Sequence, residues 1–169
     1  MKNIMYTDFY SETINHLTLK RAIDLHYEIN PQFQKFGTYK TQIANSLIKA
    51  HDITHIIFGC NTGYDEEIRV QFWAQHGVIF NVAQKDKLKY LFDKEALELL
   101  LPKGIFKYTL TRFSQMKREQ KRVKEQAKLM TKKWEYFKED RFMDITVGEI
   151  REEYGIAILP HDIDTHFRP

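Results

Sequence analysis

Two histidines and an aspartate lie close together in the segment HDITH, residues 51–55. On an α-helix, residues i and i+4 lie one turn apart on the same face, so the imidazoles of His51 and His55 would point to one side. Asp52 is three residues before His55 and neighbours it on the same helical surface. Imidazole nitrogens and carboxylate oxygens bind divalent cations at neutral pH without a costly deprotonation. The segment therefore predicts one side of a metal site.

Another carboxylate, Glu67, follows at a distance that would bring it to the same place. Gly59 predicts the end of the first helix, residues 61–63 favour a turn, and the acidic residues 65–67 are typical of a first helical turn. In an antiparallel hairpin, His55 and Glu67 would each lie roughly 5 Å along the axis from the hairpin end. Histidine pairs at this spacing also occur in protein cores with both nitrogens hydrogen-bonded, but the two carboxylates favour a metal site. The expected ligands are His51, Asp52, His55 and Glu67.

In these residues the chain resembles the coenzyme Q (ubiquinone) biosynthesis protein 4 family. The metal signature of that family is HDxxH, then eleven residues and a glutamate, and here His51, Asp52, His55 and Glu67 stand at those four positions. The resemblance extends in order from about residue 17 to 160, through the helix that contains Trp73 and the late segment 134–156. Ligands of this type suit zinc, iron(II) or manganese. The resemblance favours zinc.

The resemblance implies a function in ubiquinone biosynthesis. It implies that the protein binds a polyprenylated ring precursor or another isoprenoid lipid, and that it associates with membranes and with other quinone-biosynthesis proteins. The reaction linked to the family replaces the ring carboxyl at C1 by a hydroxyl, an oxidative decarboxylation, although a scaffold role fits equally. Four protein ligands would close a zinc site to substrate, so Asp52 is either a ligand or a residue that orients one. No catalytic residue stands out, and His76 is the nearest candidate for a general base.

Two other functions fit part of the pattern. An HD-type metal-dependent phosphohydrolase would use His51 and Asp52, with His26 as an extra ligand, but it leaves His55 and Glu67 without a clear role. Such an enzyme also needs a later aspartate on the metal, for which the candidates are Asp93, Asp140 and Asp144. The third function is that of a non-catalytic scaffold or isoprenoid-lipid carrier in which the metal only pins the helical hairpin.

The composition is that of one folded domain of 169 residues. A lone cysteine, Cys60, excludes a disulfide framework. No signal peptide and no apolar run of membrane-spanning length are evident, so we expect a cytoplasmic protein that is at most peripheral to a membrane. The terminal residues 161–166 contain two histidines and two aspartates, but a polar C-terminus is more often exposed surface than a metal site.

Residues 107–133 are basic, with ten Lys and Arg against two Glu. This pattern predicts a solvated helix face, or a surface for anionic lipid head groups or an acidic partner. The net charge of only +3 gives no domain-wide basic surface for nucleic acid. A homodimer that buries the basic helix is left open.

Helical periodicity dominates the chain, which contains only seven Gly and four Pro. We therefore predict an all-α, single-domain helical bundle over residues 1–169, with the metal motif on a helix–turn–helix hairpin and with 1–10 and 161–169 as loosely ordered tails. The predicted helices begin with 18–29 and a helix from Thr38 with the stripe Tyr39, Ile43, Leu47 and His51. They continue with a helix after the 61–63 turn, 86–101, a basic helix within 107–133 that is either continuous or divided near residue 115, and 147–154.

Overall fold

The structure is a computed structural model, and it describes residues 10–80 and 112–160. Those residues form five α-helices: α1 (Leu19–Ile29), α2 (Gln42–Phe58), α3 (Tyr64–His76), α4 (Phe113–Leu129) and α5 (Val147–Tyr154). Two short 3-10 helices, Glu12–Ile14 and Glu139–Phe142, and two strands, β1 (Val78–Ile79) and β2 (Trp134–Glu135), complete the described elements. The prediction of an all-α fold is confirmed. The predicted helix at 86–101 and the tail at 161–169 lie outside the described residues.

The ends of α1 and α5 follow local capping rules. Thr18 accepts the backbone N–H of Arg21 with its hydroxyl and begins α1, as predicted. At α5, Thr146 accepts the N–H of Glu149, and the Glu149 carboxylate returns to the backbone N–H of Thr146. This reciprocal pair satisfies two N–H groups that a helix start would otherwise leave without partners.

The start of α2 differs from the prediction. The helix is capped by Thr41 and not by Thr38, so Tyr39 lies before the helix and not on its stripe. The reason is the side chain of Asn45, whose oxygen accepts the backbone N–H groups of Gly37 and Tyr39. These hydrogen bonds hold the segment before Thr41 as a turn, because they occupy donors that a longer helix would have used.

The basic helix α4 is continuous across Gln115 and ends at Leu129, four residues before the predicted limit of 133. After it, the chain turns into β2, which pairs in parallel with β1. Lys133 lies in this turn and donates from Nζ to the backbone oxygens of His76 at 2.5 Å and Ala127 at 2.7 Å. One ammonium group therefore satisfies carbonyls at the C-terminal ends of both α3 and α4.

One hydrophobic core connects the two described parts of the chain. The rings of Phe58 on α2 and Trp73 on α3 stack at a centroid distance of 4.3 Å. Trp134 contacts the rings of Phe142 and Tyr154, each at 5.2 Å. Both tryptophans are fully buried. Aromatic pairs at these separations add to the free energy gained by burial alone, so the α2–α3 hairpin is held rigidly.

Arg151 on α5 holds the C-terminal end of α2. This buried guanidinium donates to the backbone oxygens of Ile56 at 2.6 Å and Ile57 at 3.0 Å. It also donates to the Ser11 carbonyl at 3.1 Å and to the Asn15 side-chain oxygen at 2.6 Å. The last carbonyls of a helix have no partner within the helix, so a residue distant in sequence supplies one here.

The outer side of α4 is basic and partly apolar. Phe113 and Leu129, at its two ends, are 56% and 71% exposed. None of the helices in residues 10–80 and 112–160 has the length and apolarity that crossing a membrane requires. The exposed basic residues of this helix, called the α4 basic face below, are Lys117, Arg118, Lys121, Lys124 and Lys128.

Candidate metal centre

The turn between α2 and α3 brings the motif residues together. Gly59 ends α2 with a left-handed backbone, φ 69°, and donates its N–H to the carbonyls of His55 and Ile56. Asn61 then accepts the N–H of Gly63 at 2.8 Å, which tightens the turn just before α3 begins. The three acidic residues 65–67 occupy the first turn of α3. The predicted helix–turn–helix hairpin is therefore present.

His51, His55 and Glu67 form a compact triad near the turn end of this hairpin. Glu67 Oε2 lies 3.3 Å from His51 Nε2, and Glu67 Oε1 lies 3.2 Å from His55 Nε2. The two Nε2 atoms are 3.1 Å apart. One atom of each residue lies within 4.8 Å of the others, a separation at which three ligand atoms can share one cation. His55 is fully buried and the other two side chains are 13% and 20% exposed, so the triad opens to solvent on one side.

The hydrogen bonds of His55 determine which nitrogen faces the triad. Its Nδ1 lies 3.1 Å from the carbonyl oxygen of Cys60 and 3.0 Å from that of Asn61. A carbonyl oxygen only accepts hydrogen bonds, so Nδ1 carries the hydrogen. The lone pair of neutral His55 is then on Nε2, which points at His51 and Glu67. This is the ring orientation and tautomer that metal-binding histidines adopt, and the triad therefore fits a divalent cation.

The charges within the triad support the same conclusion. Burial alone would lower the pKa of His55, but the charge and hydrogen bond of Glu67 outweigh it and raise that pKa. Burial likewise acts to raise the pKa of Glu67, and the neighbouring His55 and His51 lower it below its ordinary value. The carboxylate is thus ionised, and while no cation is bound its charge favours the form of His55 that carries a proton on Nε2. A divalent ion would replace that proton.

Asp52, the fourth expected ligand, lies outside the triad and faces α1. Its Oδ2 accepts a hydrogen bond from the hydroxyl of Tyr27, and its Oδ1 lies 4.0 Å from His26 Nε2. The side chain is buried, which raises its pKa. The structure therefore brings three of the four expected ligands together and places Asp52 beside them, bonded to another helix.

Nothing in the sequence pattern indicates a role for Tyr27, and the pattern suggests His26 only as an extra ligand of a phosphohydrolase. Both residues lie on α1 and are buried, and His26 contacts Tyr10 through Nδ1 at 2.9 Å. The sequence did carry a signal, because His26 and Asn30 continue the apolar stripe of α1 at helical spacing. Polar residues on an apolar helix face predict buried polar groups, and both side chains are fully buried in the structure.

The other candidates are not part of the triad. His76 lies nine residues after Glu67 on α3, roughly 13 Å along the helix axis. Asp140 is exposed and pairs with Lys49, and Asp144 is also exposed. Asp93 and the cluster at 161–166 lie outside the described residues. Within residues 10–80 and 112–160, the triad is the one group of His, Cys, Asp and Glu side chains close enough to hold a metal.

Comparison with known proteins identifies no relative, because no family model, curated protein or solved structure matches the chain significantly.

Proposed function

We propose that this is a divalent-metal protein of ubiquinone or related prenylquinone biosynthesis, with zinc as the metal. His51, His55 and Glu67 would be the protein ligands. The observation that carries the proposal is the position of Glu67, whose two oxygens each lie within 3.3 Å of one histidine Nε2. The motif that resembles the coenzyme Q biosynthesis protein 4 family thus contains three residues whose ligand atoms lie close together in this fold.

The number of ligands allows a chemical role for the metal. Three protein ligands leave a fourth tetrahedral position for an external molecule, since Asp52 is held by Tyr27. A zinc ion there would stabilise negative charge on a carboxylate or phenolate oxygen of a ring compound. The chain's own contribution is to fix His55 through Nδ1 and to supply one carboxylate charge from Glu67. We propose oxidative decarboxylation of a prenylated benzoate as the reaction. The bond between the ring and its carboxyl breaks to release CO2, a hydroxyl oxygen from water takes its place, and an external two-electron acceptor takes up the electrons, because zinc itself is not redox-active. A scaffold for the biosynthetic complex is the non-catalytic form of the same function.

The proposed partners are an isoprenoid lipid, an anionic membrane surface and other quinone-biosynthesis proteins. The α4 basic face supports the membrane partner, because lysine ammonium groups attract anionic head groups at a cytoplasmic surface. Leu129 and Phe113 at the two ends of α4 supply exposed apolar side chains that can enter the interfacial region. A peripheral position at the membrane would give access to a substrate with a prenyl tail.

A second candidate function, an HD-type phosphohydrolase, is favoured by one observation. His26 Nε2 lies 4.0 Å from Asp52 Oδ1, so the extra histidine of that pattern does approach the motif. Against it, Asp140 and Asp144 are exposed and are not part of the triad's ligand set. Hydrolysis of nucleoside phosphates that is abolished by His51→Ala would establish this function instead.

Elemental analysis tests the proposal directly. The protein would be purified without chelator or metal-affinity tag, beside the double variant His51→Ala/His55→Ala and the single variant Glu67→Gln. The matched control is His16→Ala, since His16 is an exposed histidine outside the triad. We expect about one equivalent of zinc in the wild type and the control, and little in the triad variants. Metal-free wild type would show that the triad is a polar cluster without a metal.

A genetic test then separates a functional metal from an incidental one. In a host that lacks its own member of the resembled family, the wild type should restore quinone levels and His55→Ala should not. Equal restoration by both would exclude a role for the metal in that function.

A further inference from the structure

Two buried polar residues beside the triad, His26 and Asp52, face each other across a gap. His26 is fully buried, and its Nε2 has no partner among the described residues. That nitrogen lies 4.0 Å from Asp52 Oδ1, which is too long for a hydrogen bond. The separation does suit one oxygen atom that bonds to both. Because a buried polar atom without a partner is costly, the gap indicates a bound group.

The His26 ring is fixed from its other side. Its Nδ1 lies 2.9 Å from the hydroxyl oxygen of Tyr10, and that oxygen accepts a hydrogen bond from the Asn30 amide at 3.0 Å. The Asn30 amide also donates to the His26 carbonyl at 2.8 Å, so the three residues orient one another. The Tyr10 hydroxyl can donate to Nδ1 or accept from it, and the Asp52 carboxylate 4.0 Å from Nε2 favours the tautomer in which the hydroxyl donates. The imidazole hydrogen is then on Nε2, facing Asp52.

Asp52 is oriented in the same way. Its Oδ2 is held by the Tyr27 hydroxyl, which leaves Oδ1 directed at His26. The pair therefore combines one donor, Nε2–H, with one acceptor, a carboxylate oxygen. It lies next to the triad, since the ring centroids of His26 and His55 are 6.3 Å apart.

We propose that His26 and Asp52 together bind one hydroxyl oxygen beside the metal. A hydroxyl satisfies both atoms, because it accepts the hydrogen of Nε2 and donates its own to Asp52 Oδ1. A carboxylate oxygen would not, since it would face the Asp52 carboxylate as a second acceptor. The hydroxyl belongs either to a water molecule or to a phenolic ring compound. The inference rests on the proposed function for the ring compound, and it adds the residues that recognise it.

The test combines binding and structure on zinc-loaded protein. Calorimetry would compare 4-hydroxybenzoate and 3-hydroxybenzoate with benzoate on the wild type, His26→Ala, His26→Gln and the control His16→Ala. If the site takes a phenol, the wild type and control prefer a hydroxylated probe by about tenfold, and His26→Ala loses the preference while keeping its zinc. Gln at position 26 retains a donor and should keep part of the preference.

A crystal structure of the wild type decides the remaining cases. If the wild type shows no preference, an oxygen atom within about 3.2 Å of both His26 Nε2 and Asp52 Oδ1 establishes the water form of the site. A direct hydrogen bond between these two atoms with nothing between them overturns the proposal, as does a phenol preference that His26→Ala leaves unchanged. Zinc content, measured on the same preparations, reports separately on the proposed metal function. The crystal structure needs no variant, so a poorly folding His26→Ala leaves the proposal testable.

Discussion

At the scale of single residues, the site depends on which atom of each side chain faces its neighbours. Two backbone carbonyls accept the Nδ1 hydrogen of His55 and so determine its tautomer. Each of the two carboxylate oxygens of Glu67 contacts one histidine. The orientation of His55 is therefore determined by hydrogen bonds that lie away from the metal position, and Asp52 is held outside that position by Tyr27. Such fixed orientation is what a ligand set requires to bind a cation without reorganisation.

A second buried carboxylate allows a prediction on pH. Glu139 is buried, its Oε2 has no partner among the described residues, and Lys49 Nζ is 3.7 Å from its Oε1. Burial raises the pKa of Glu139 more than Lys49 lowers it. Protonated Glu139 therefore contributes to the free energy of unfolding. This contribution is fully present below the pKa that Glu139 has in the unfolded chain, and it is lost as the pH rises through the pKa of Glu139 in the folded protein. Near neutral pH, we expect the free energy of unfolding to be larger for Glu139→Gln than for the wild type.

Urea denaturation in the presence of a chelator, from about pH 4 to pH 8, checks this prediction on the metal-free protein. The two proteins should differ least at the acidic end, and the difference should grow as the pH rises. Glu125→Gln is the matched control, because Glu125 is an exposed glutamate on α4. If the wild type were more stable than Glu139→Gln at neutral pH, the ion pair with Lys49 would outweigh the cost of burying the Glu139 carboxylate.

At the scale of elements, the hairpin of α2 and α3 is closed by one glycine and held by a distant arginine. Gly59 permits the left-handed turn that ends α2, and Arg151 binds the carbonyls that this end exposes. Both are needed because the triad uses residues one turn before the break and one turn after it. A change in the turn would therefore move the histidines relative to Glu67.

We predict that Gly59→Ala destabilises the protein much more than Gly37→Ala. Both glycines have positive φ, 69° and 89°, so alanine is strained at both positions by about 1 kcal/mol. At Gly59 a methyl group would also lie 2.7 Å from Ile158 Cγ2 and 2.7 Å from the Tyr10 carbonyl oxygen, whereas at Gly37 nothing lies within 4 Å. The extra overlap should bring the cost at Gly59 to about 2–4 kcal/mol.

Chemical denaturation of both variants measures the difference, and zinc content shows its effect on the site. Gly59→Ala should also bind zinc more weakly than Gly37→Ala. Similar unfolding free energies in the two variants would mean that the chain around Ile158 relaxes without cost.

At the scale of the whole molecule, one hydrophobic core joins the hairpin to the C-terminal segment while α4 carries its charge outwards. The net charge of the chain is only +3, so its basic character is local and not a property of the entire surface. A local basic face suits a flat anionic surface.

We predict that Lys117→Glu/Lys121→Glu/Lys124→Glu weakens binding to phosphatidylserine-containing vesicles by about a hundredfold, at roughly 1 kcal/mol for each lysine. The control, Lys20→Glu/Lys35→Glu/Lys40→Glu, changes the net charge equally at exposed lysines outside α4. Vesicle co-sedimentation at low and high salt measures both. Equal loss in the two triple variants would attribute binding to net charge, and no binding by the wild type would remove the membrane from the proposed partners.

The sequence by itself predicted the hairpin, the three residues of the triad and the described helices except for the start of α2, because each depends on residues that are near in the chain. Helical spacing puts His51 and His55 on one face, and a glycine stop followed by a short turn returns Glu67 to them. The caps of α1 and α5 are local in the same sense, since each capping threonine bonds to a residue three positions later in the chain.

Only the tertiary structure decided which residues from distant parts of the chain contact the hairpin. Asp52 accepts a hydrogen bond from Tyr27. Tyr10, which the sequence assigns to a loose tail, is fully buried and contacts His26. The start of α2 and the β1–β2 pair likewise depend on side chains and strands that periodicity does not relate to one another. Local spacing specifies which face of a helix a side chain occupies, but the partner on the other side is selected by how the helices pack.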